Sequence, residues 1–267
     1  DNGTKAADST YTIYVLSDDV IYAPKNCLDL FRNMKQLVSI NAEKLDVSRV
    51  ETMENMFRST ALKTVNVTGW DVSSVTNLYS TFLNCTSLES IVGLETWDVS
   101  SVTTTNRLFS QCPMLKEIDL STWKLTAVTD AERMFYKCEV LEELDASNWD
   151  LRNLVNARDM FKYCYKLKQV DVSNWDTSNV TSMNGTFSYC QSIDGLDVSN
   201  WDVSKVTNMY AMFYDCRELS ALDVSEWDVG SVTIMEFTFG GCKKIEYLDV
   251  SNWDVSQVTS FDSFLSS

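Results

Sequence analysis

The sequence has no histidine and, in 267 residues, only two prolines and eight glycines. Without an imidazole, mechanisms that need a histidine general base or a histidine metal ligand are closed to the chain. Scarce Gly and Pro, together with 45% hydrophobic residues, exclude a low-complexity linker or a disordered acidic tail and leave enough apolar material for a sizeable core. Cations are also in short supply. Lys and Arg number 22 against 38 Asp and Glu, a formal net charge of −16, which excludes a basic nucleic-acid binder. The eight cysteines include no Cys-x-x-Cys pair, so a zinc site is not expected.

What the chain does have is a beat. Trp recurs at 70, 97, 123, 149, 175, 201, 227 and 253, a spacing of 27 once and 26 thereafter. Phe keeps the same period from Phe31 to Phe239, and seven cysteines follow it at 85, 112, 138, 164, 190, 216 and 242. A period in this range is the mark of a stacked repeat, and nine frames can be traced. Leu219, Leu222, Val224, Trp227 and Val229 have the 1, 4, 6, 9, 11 spacing of a leucine-rich repeat, with positions four to six as a short strand. Met209, Met212, Phe213 and Cys216 sit at helical offsets of three, four and seven, predicting a short helix introduced by Thr207 as N-cap, with capping-box spacing at Thr129/Glu132 and Thr233/Glu236. The fold expected is an α/β repeat: a right-handed leucine-rich-repeat solenoid with short parallel strands on the concave face, about 4.8 Å apart, and short helical turns opposite.

The ends depart from the pattern. Residues 1–9 are polar and aperiodic and are expected to be a flexible tail; residues 10–23, with the alternating run Tyr11 to Leu16, are expected to cap the array; residues 24–267 form the repeats. The first frame has Met34 in the cysteine place and the second has Ser59. The last frame ends without a polar cap, predicting a truncated C-terminus.

The units running from Leu196 to Cys216, L-D-V-S-N-W-D-V-S-K-V-T-N-M-Y-A-M-F-Y-D-C, resemble the 26-residue repeat of BspA-like leucine-rich-repeat surface proteins, over about residues 24–265. The resemblance rests on the joint spacing of L-D-V-S, W-D, V-T-x-M, M-F and Cys. It implies a secreted or cell-surface bacterial protein with adhesive roles toward host matrix proteins or other cells, and no catalytic residues. Members typically carry an export signal and a wall anchor, neither of which is recognisable in these 267 residues.

Three sets of residues bear on chemistry. The repeat cysteines and tryptophans are expected to be buried columns, thiols reduced and indoles stacked. Asp119, Asp145, Asp171, Asp197, Asp223 and Asp249 follow the strand leucine and should point outward as an acidic stripe on the concave face, beside a serine column. Mutual repulsion should raise their pKa values or gather cations. Calcium suits such oxygens, but the loops lack a dedicated ligand pattern, so no cofactor or metal is expected beyond diffuse counterions. A second column, Asp46, Asp71, Asp98, Asp150, Asp176, Asp202, Asp228 and Asp254, follows Trp and fits Asx-turns. Finally, Tyr136, Tyr163, Tyr165, Tyr189, Tyr214 and Tyr247 form a candidate aromatic binding edge beside lysines and arginines. A periodic ladder offers no unique pair of acids, so the chain is expected not to be an enzyme. The function expected is non-catalytic binding of an extracellular protein or glycan by a monomer, without nucleic acid or membrane insertion; the rival is a spacer that displays another domain, stiffened or not by calcium.

Overall fold

The computed structural model describes residues 10–14, 19–42 and 44–266; the tail expected over residues 1–9 lies outside them, as do Val15 and Leu16 of the expected capping strand. Along the L-D-V stretches of the inner repeats the backbone alternates, with Leu222 and Val224 buried and Asp223 exposed between them. Neighbouring stretches pair in parallel, but only in short runs. At the N-terminal end β1 (Tyr11–Tyr14) lies beside β3 (Leu37–Asn41), and β2 (Ile21–Tyr22) beside β4 (Leu45–Asp46). Further along, β5 (Thr64–Asn66) pairs with β6 (Ser90–Val92), and β7 (Glu143–Leu144) with β8 (Gln169–Val170). The expected strand in every repeat is therefore realised only in part. A single bridge, Ser90 to Glu117, joins β6 to the next repeat. Between those two strand pairs the spacing of the repeats is disturbed by the one 27-residue frame, whose extra residue is taken up by a 3-10 turn at Leu94–Thr96 entered through Gly93. Gly93 has φ +97, and a Cβ there would overlap the backbone of Thr68, so only glycine fits.

The continuous ladder is elsewhere. Nine successive parallel bridges run from Asn26 through Thr52, Asn77, Thr104, Asp130, Asn156, Ser182, Asn208 and Ile234 to Ser260, one residue per repeat. They lie just before the M-F-x-x-C segment, where helices were expected. No α-helix forms among the described residues. Instead the N–H groups alternate between two partners. Ala131, Arg133, Phe135 and Lys137 donate across to the carbonyls of Asn156, Arg158, Met160 and Lys162 in the next repeat, at 2.8–3.0 Å. Met134, Tyr136 and Cys138 donate back three residues, to Ala131, Arg133 and Phe135, closing consecutive β-turns. Every fourth residue is left-handed, for example Arg133 (φ 57) and Lys137 (φ 61), which no α-helix tolerates. Turns repeating every four residues put the same offsets inward as a helix of 3.6, so the apolar pattern fits both. The threonines expected as N-caps serve the ladder: Thr207 gives both its N–H (3.1 Å) and its hydroxyl (3.3 Å) to the carbonyl of Thr181.

Inside, like residues stack on like. The tryptophans lie nearly parallel, as in Trp175 on Trp201 with ring centroids 5.8 Å apart at 4°, and several indole N–H groups reach back to a carbonyl of the preceding repeat, Trp201 to Val172 at 3.0 Å. Phenylalanines form a second column, Phe135 on Phe161 at 5.4 Å. The cysteines are free, and those from Cys85 to Cys216 are buried. They are more than fillers. Each thiol from Cys85 to Cys242 donates to the carbonyl of a Phe in the preceding repeat, Cys138 to Phe109 at 3.2 Å and Cys164 to Phe135 at 3.2 Å. In the second repeat that place belongs to Thr60, three residues after Phe57, and not to Ser59: the Thr60 hydroxyl bonds Phe57 O at 2.9 Å and lies 3.4 Å from Cys85 Sγ, while Ser59 is a left-handed turn residue.

Candidate binding surface

The two aspartate columns have the same local job. In the strand column, Asp197 Oδ1 accepts the Ser199 N–H at 3.2 Å and the Ser199 hydroxyl at 2.7 Å. The same pair of bonds forms at Asp119, Asp145, Asp171, Asp223 and Asp249. The column after Trp makes the Asx-turn read from the sequence, as in Asp98 to the Ser100 N–H at 3.0 Å and Asp202 to Ser204 at 2.9 Å. In Asp145, Asp197 and Asp249 the shift runs opposite to the expected rise. The serine hydroxyl, with its N–H, holds these three below the usual carboxylate range, because hydrogen bonds to the charged form outweigh the cost of partial desolvation. Of the strand-column acids all are exposed but Asp249, which is half-buried. With Oδ1 committed to serine, each leaves one oxygen facing solvent. Among the described residues no group of three His, Cys, Asp or Glu side chains is arranged to hold a metal ion.

The strand side also holds an open hollow of about 1230 Å³ between β6 and β7; Ile91, Ile118 and Val140 line it with Glu117, Asp119 and Glu143.

The tyrosines behave differently from the acids, because they meet. Tyr136 sets its edge on Tyr163 (5.5 Å, 79°), Tyr163 stacks on Tyr189 (4.7 Å, 24°), and Tyr189 meets Tyr214 edge-on (5.2 Å, 80°). Tyr165 leans on Tyr163 at 5.9 Å, and Phe237 extends the line beyond Tyr214 at 5.5 Å. All five tyrosines are half-buried, and burial pushes the phenols of Tyr136, Tyr165 and Tyr189 up. Two neighbouring positions of the repeat build the line: Tyr163 and Tyr189 are left-handed turn residues in the column of Lys137 and Asp215, and Tyr136 and Tyr214 stand one residue earlier in their repeats. Tyr247 does not join it. It is 75% exposed and sits two residues before Asp249, on the strand side.

Cations gather at the N-terminal end of the line. Lys137 Nζ lies 5.5 Å from the centre of the Tyr136 ring and 5.7 Å from that of Tyr163; Lys162 Nζ is 5.5 Å from Tyr163 and the Arg133 guanidinium 5.5 Å from Tyr136. They are organised by a residue that the sequence reading missed. Asp159, with 5% of its side chain exposed, takes Arg133 at 3.0 Å, Lys162 at 3.3 Å and Arg158 at 3.6 Å. A signal for it was available: Arg107, Arg133, Asp159 and Gly185 are one column at 26-residue spacing, an acid following two arginines and followed by the residue that leaves it room.

The family described as "Mycoplasma protein of unknown function, DUF285" matches residues 25–144, 139–246 and 196–267. No curated protein matches the chain. Among solved structures, a leucine-rich repeat protein from Eubacterium ventriosum is similar at 15% identity over 86% of this chain and 68% of that one, with a TM-score of 0.46. A leucine-rich repeat protein from Bacteroides ovatus gives 16%, 88%, 74% and 0.40, and a leucine rich cell surface protein from Faecalibacterium prausnitzii 15%, 86%, 77% and 0.39. No helix among the described residues is long and apolar enough to cross a membrane.

Proposed function

The chain belongs to the DUF285 family, and on that premise we propose that it is a non-catalytic binding module of a bacterial cell surface or secreted protein, a right-handed solenoid of 26-residue repeats that recognises an extracellular protein or glycan along its length. The observation that carries this reading is the unbroken contact of Tyr136, Tyr163, Tyr189 and Tyr214 across four successive repeats. A structural role in the core does not require them, since the Trp, Phe and Cys columns already fill it. Half-exposed tyrosines supply rigid contact area with few rotors to order, which suits a surface that binds. The acidic stripe of Asp119 to Asp249 is the secondary candidate: its carboxylates are occupied on one side by serine, so it offers one row of oxygens to a basic partner.

The test is binding of the chain, as a monomer, to an array of matrix proteins and cell-surface glycans at physiological salt, with and without calcium. A saturable hit is expected, abolished by Tyr163→Ala, Tyr189→Ala and Tyr214→Ala together and retained by Asp171→Asn, Asp197→Asn and Asp223→Asn together. Loss with the aspartate set instead assigns the contact to the acidic stripe. No hit across the array favours the spacer reading, for which the uninterrupted ladder from Asn26 to Ser260 is the supporting observation.

A further inference from the structure

Resting on that surface reading, we propose that the N-terminal end of the tyrosine line, Tyr136, Tyr163 and Tyr189 with Arg133, Lys137, Arg158 and Lys162, is a site for a linear anionic polysaccharide. The charge arrangement comes first. The chain carries −16, yet here Arg107, Arg133, Arg158 and Lys162 share two carboxylates, Glu132 and Asp159, and Lys137 makes no ion pair among the described residues. Asp159 is buried beneath the cations, so it fixes their positions without presenting its own charge to solvent. Lys137 and Lys162 instead flank the Tyr163 ring, one within 5.7 Å and the other within 5.5 Å of its centre. The surface therefore sets half-buried tyrosine rings, packed on one another, among cations. That mixture suits a chain of sugar rings bearing acidic groups: the sugars pack against the exposed parts of the tyrosines and the anions meet Lys and Arg.

An acidic peptide fits less well. The usual way to hold an extended peptide is to add it to a free sheet edge, and on this face the main chain is spent. The N–H groups of Lys137, Tyr163 and Tyr189 donate to Lys162, Ser188 and Tyr214 of the next repeat at 2.9, 2.9 and 2.6 Å. Recognition is left to side chains. A stiff sugar chain loses less freedom on binding them than a peptide with its rotatable backbone does. The direction is set too, because Tyr136, Tyr163 and Tyr189 advance along the array and a linear polymer following them crosses three repeats, on the order of 10 Å at strand spacing.

The experiment measures binding of the 267-residue chain to heparin and to hyaluronan at about 0.15 M salt, with neutral dextran and poly-glutamate as comparisons. Saturable binding to at least one of the two anionic glycans is expected, with dextran and poly-glutamate inert. Lys137→Gln, which removes no ion pair, should weaken it about fivefold, the factor that corresponds to roughly 1 kcal/mol. Lys137→Gln with Tyr163→Ala should weaken it more than tenfold, measured at a temperature where circular dichroism shows the variant folded. Equal binding of poly-glutamate would overturn the glycan assignment. So would glycan binding indifferent to both variants. If neither glycan binds while an array partner still depends on the tyrosines, this inference fails and the surface reading stands; if nothing depends on the tyrosines, both fail.

Discussion

Asp159 is a buried carboxylate whose neighbours are set by the repeat. One period before it stands Arg133, and one period after it stands Gly185, where an added Cβ would overlap Asp159 Oδ1. Gly185 is also left-handed at φ +66. Gly185→Ala should therefore destabilise the protein by about 1–3 kcal/mol, from backbone strain and overpacking together. Asp159→Ala, which strands Arg133 and Lys162, should cost about 2 kcal/mol, below the full value for a buried pair because the cations remain partly solvated. Made together, the two should cost less than their sum, since the alanine at 185 no longer meets a carboxylate; urea denaturation of the four proteins reads the coupling directly, and strict additivity would refute the contact. A second residue-scale expectation concerns acid. Asp145, Asp197 and Asp249 have folded pKa values depressed below the ordinary aspartate value of 3.8, so the stability they contribute is present above that value and is lost as pH falls through it toward the folded values. Ser147→Ala, Ser199→Ala and Ser251→Ala combined should flatten the fall of the thermal midpoint below about pH 4, because they remove the bonds that depress the pKa.

At the scale of elements, the columns were legible and the local conformation was not. Trp, Phe and Cys at 26-residue spacing identify the stacked core directly, because residues in register must touch their own kind one repeat away. Offsets of three, four and seven read as a helix, yet the segment is a run of β-turns whose alternate N–H groups bond the next repeat. What separates the two is left-handed backbone at every fourth residue. That position is filled by Arg133, Lys137, Asp159 and Tyr163 among others, with few glycines to announce it. Of the tyrosine contacts only Tyr163 on Tyr189 follows directly from the 26-residue period, since Tyr136 and Tyr214 stand one residue out of that register; Asp159 was not singled out because it belongs to one repeat only. The far-UV circular dichroism spectrum should accordingly lack the paired minima of an α-helix, and a spectrum showing them would contradict the turn ladder. The cysteine column has its own readout. Burial pushes the thiols of Cys112, Cys164 and Cys216 well up, and Cys242 alone of the eight is only half-buried. A thiol reagent should modify Cys242 first in the native protein and the others only on unfolding.

For the whole molecule the question is whether its charges hold the stack together or push it apart. Repeat-to-repeat ion pairs exist, as in Lys25 with Glu51 and Lys168 with Glu142, both at 2.6 Å, and Lys244 with Glu218. Each is well exposed, and such pairs contribute about 0–1 kcal/mol and often nothing. Against them stand two columns of aspartates at repeat spacing, Asp119 to Asp249 and Asp46 to Asp254, on a chain of net charge −16. Every member of a column repels its neighbours above and below, and the folded array holds them nearer together than the unfolded chain does. Screening acts on both terms, but the repelling sites outnumber the paired ones. The thermal midpoint should therefore rise as sodium chloride is raised from about 0.01 M to about 0.5 M, as the Debye length shrinks from about 30 Å to under 5 Å. If the ion pairs dominated, it would fall over the same range. Calcium at equal ionic strength separates general screening from a specific site. Since each strand aspartate already spends Oδ1 on a serine, calcium and sodium should give the same midpoint, and addition of a chelator should leave it unmoved. A midpoint that rose with calcium alone and returned on chelation would require the solvent-facing oxygens of adjacent repeats to converge on one ion, and the acidic stripe would then be a metal ladder.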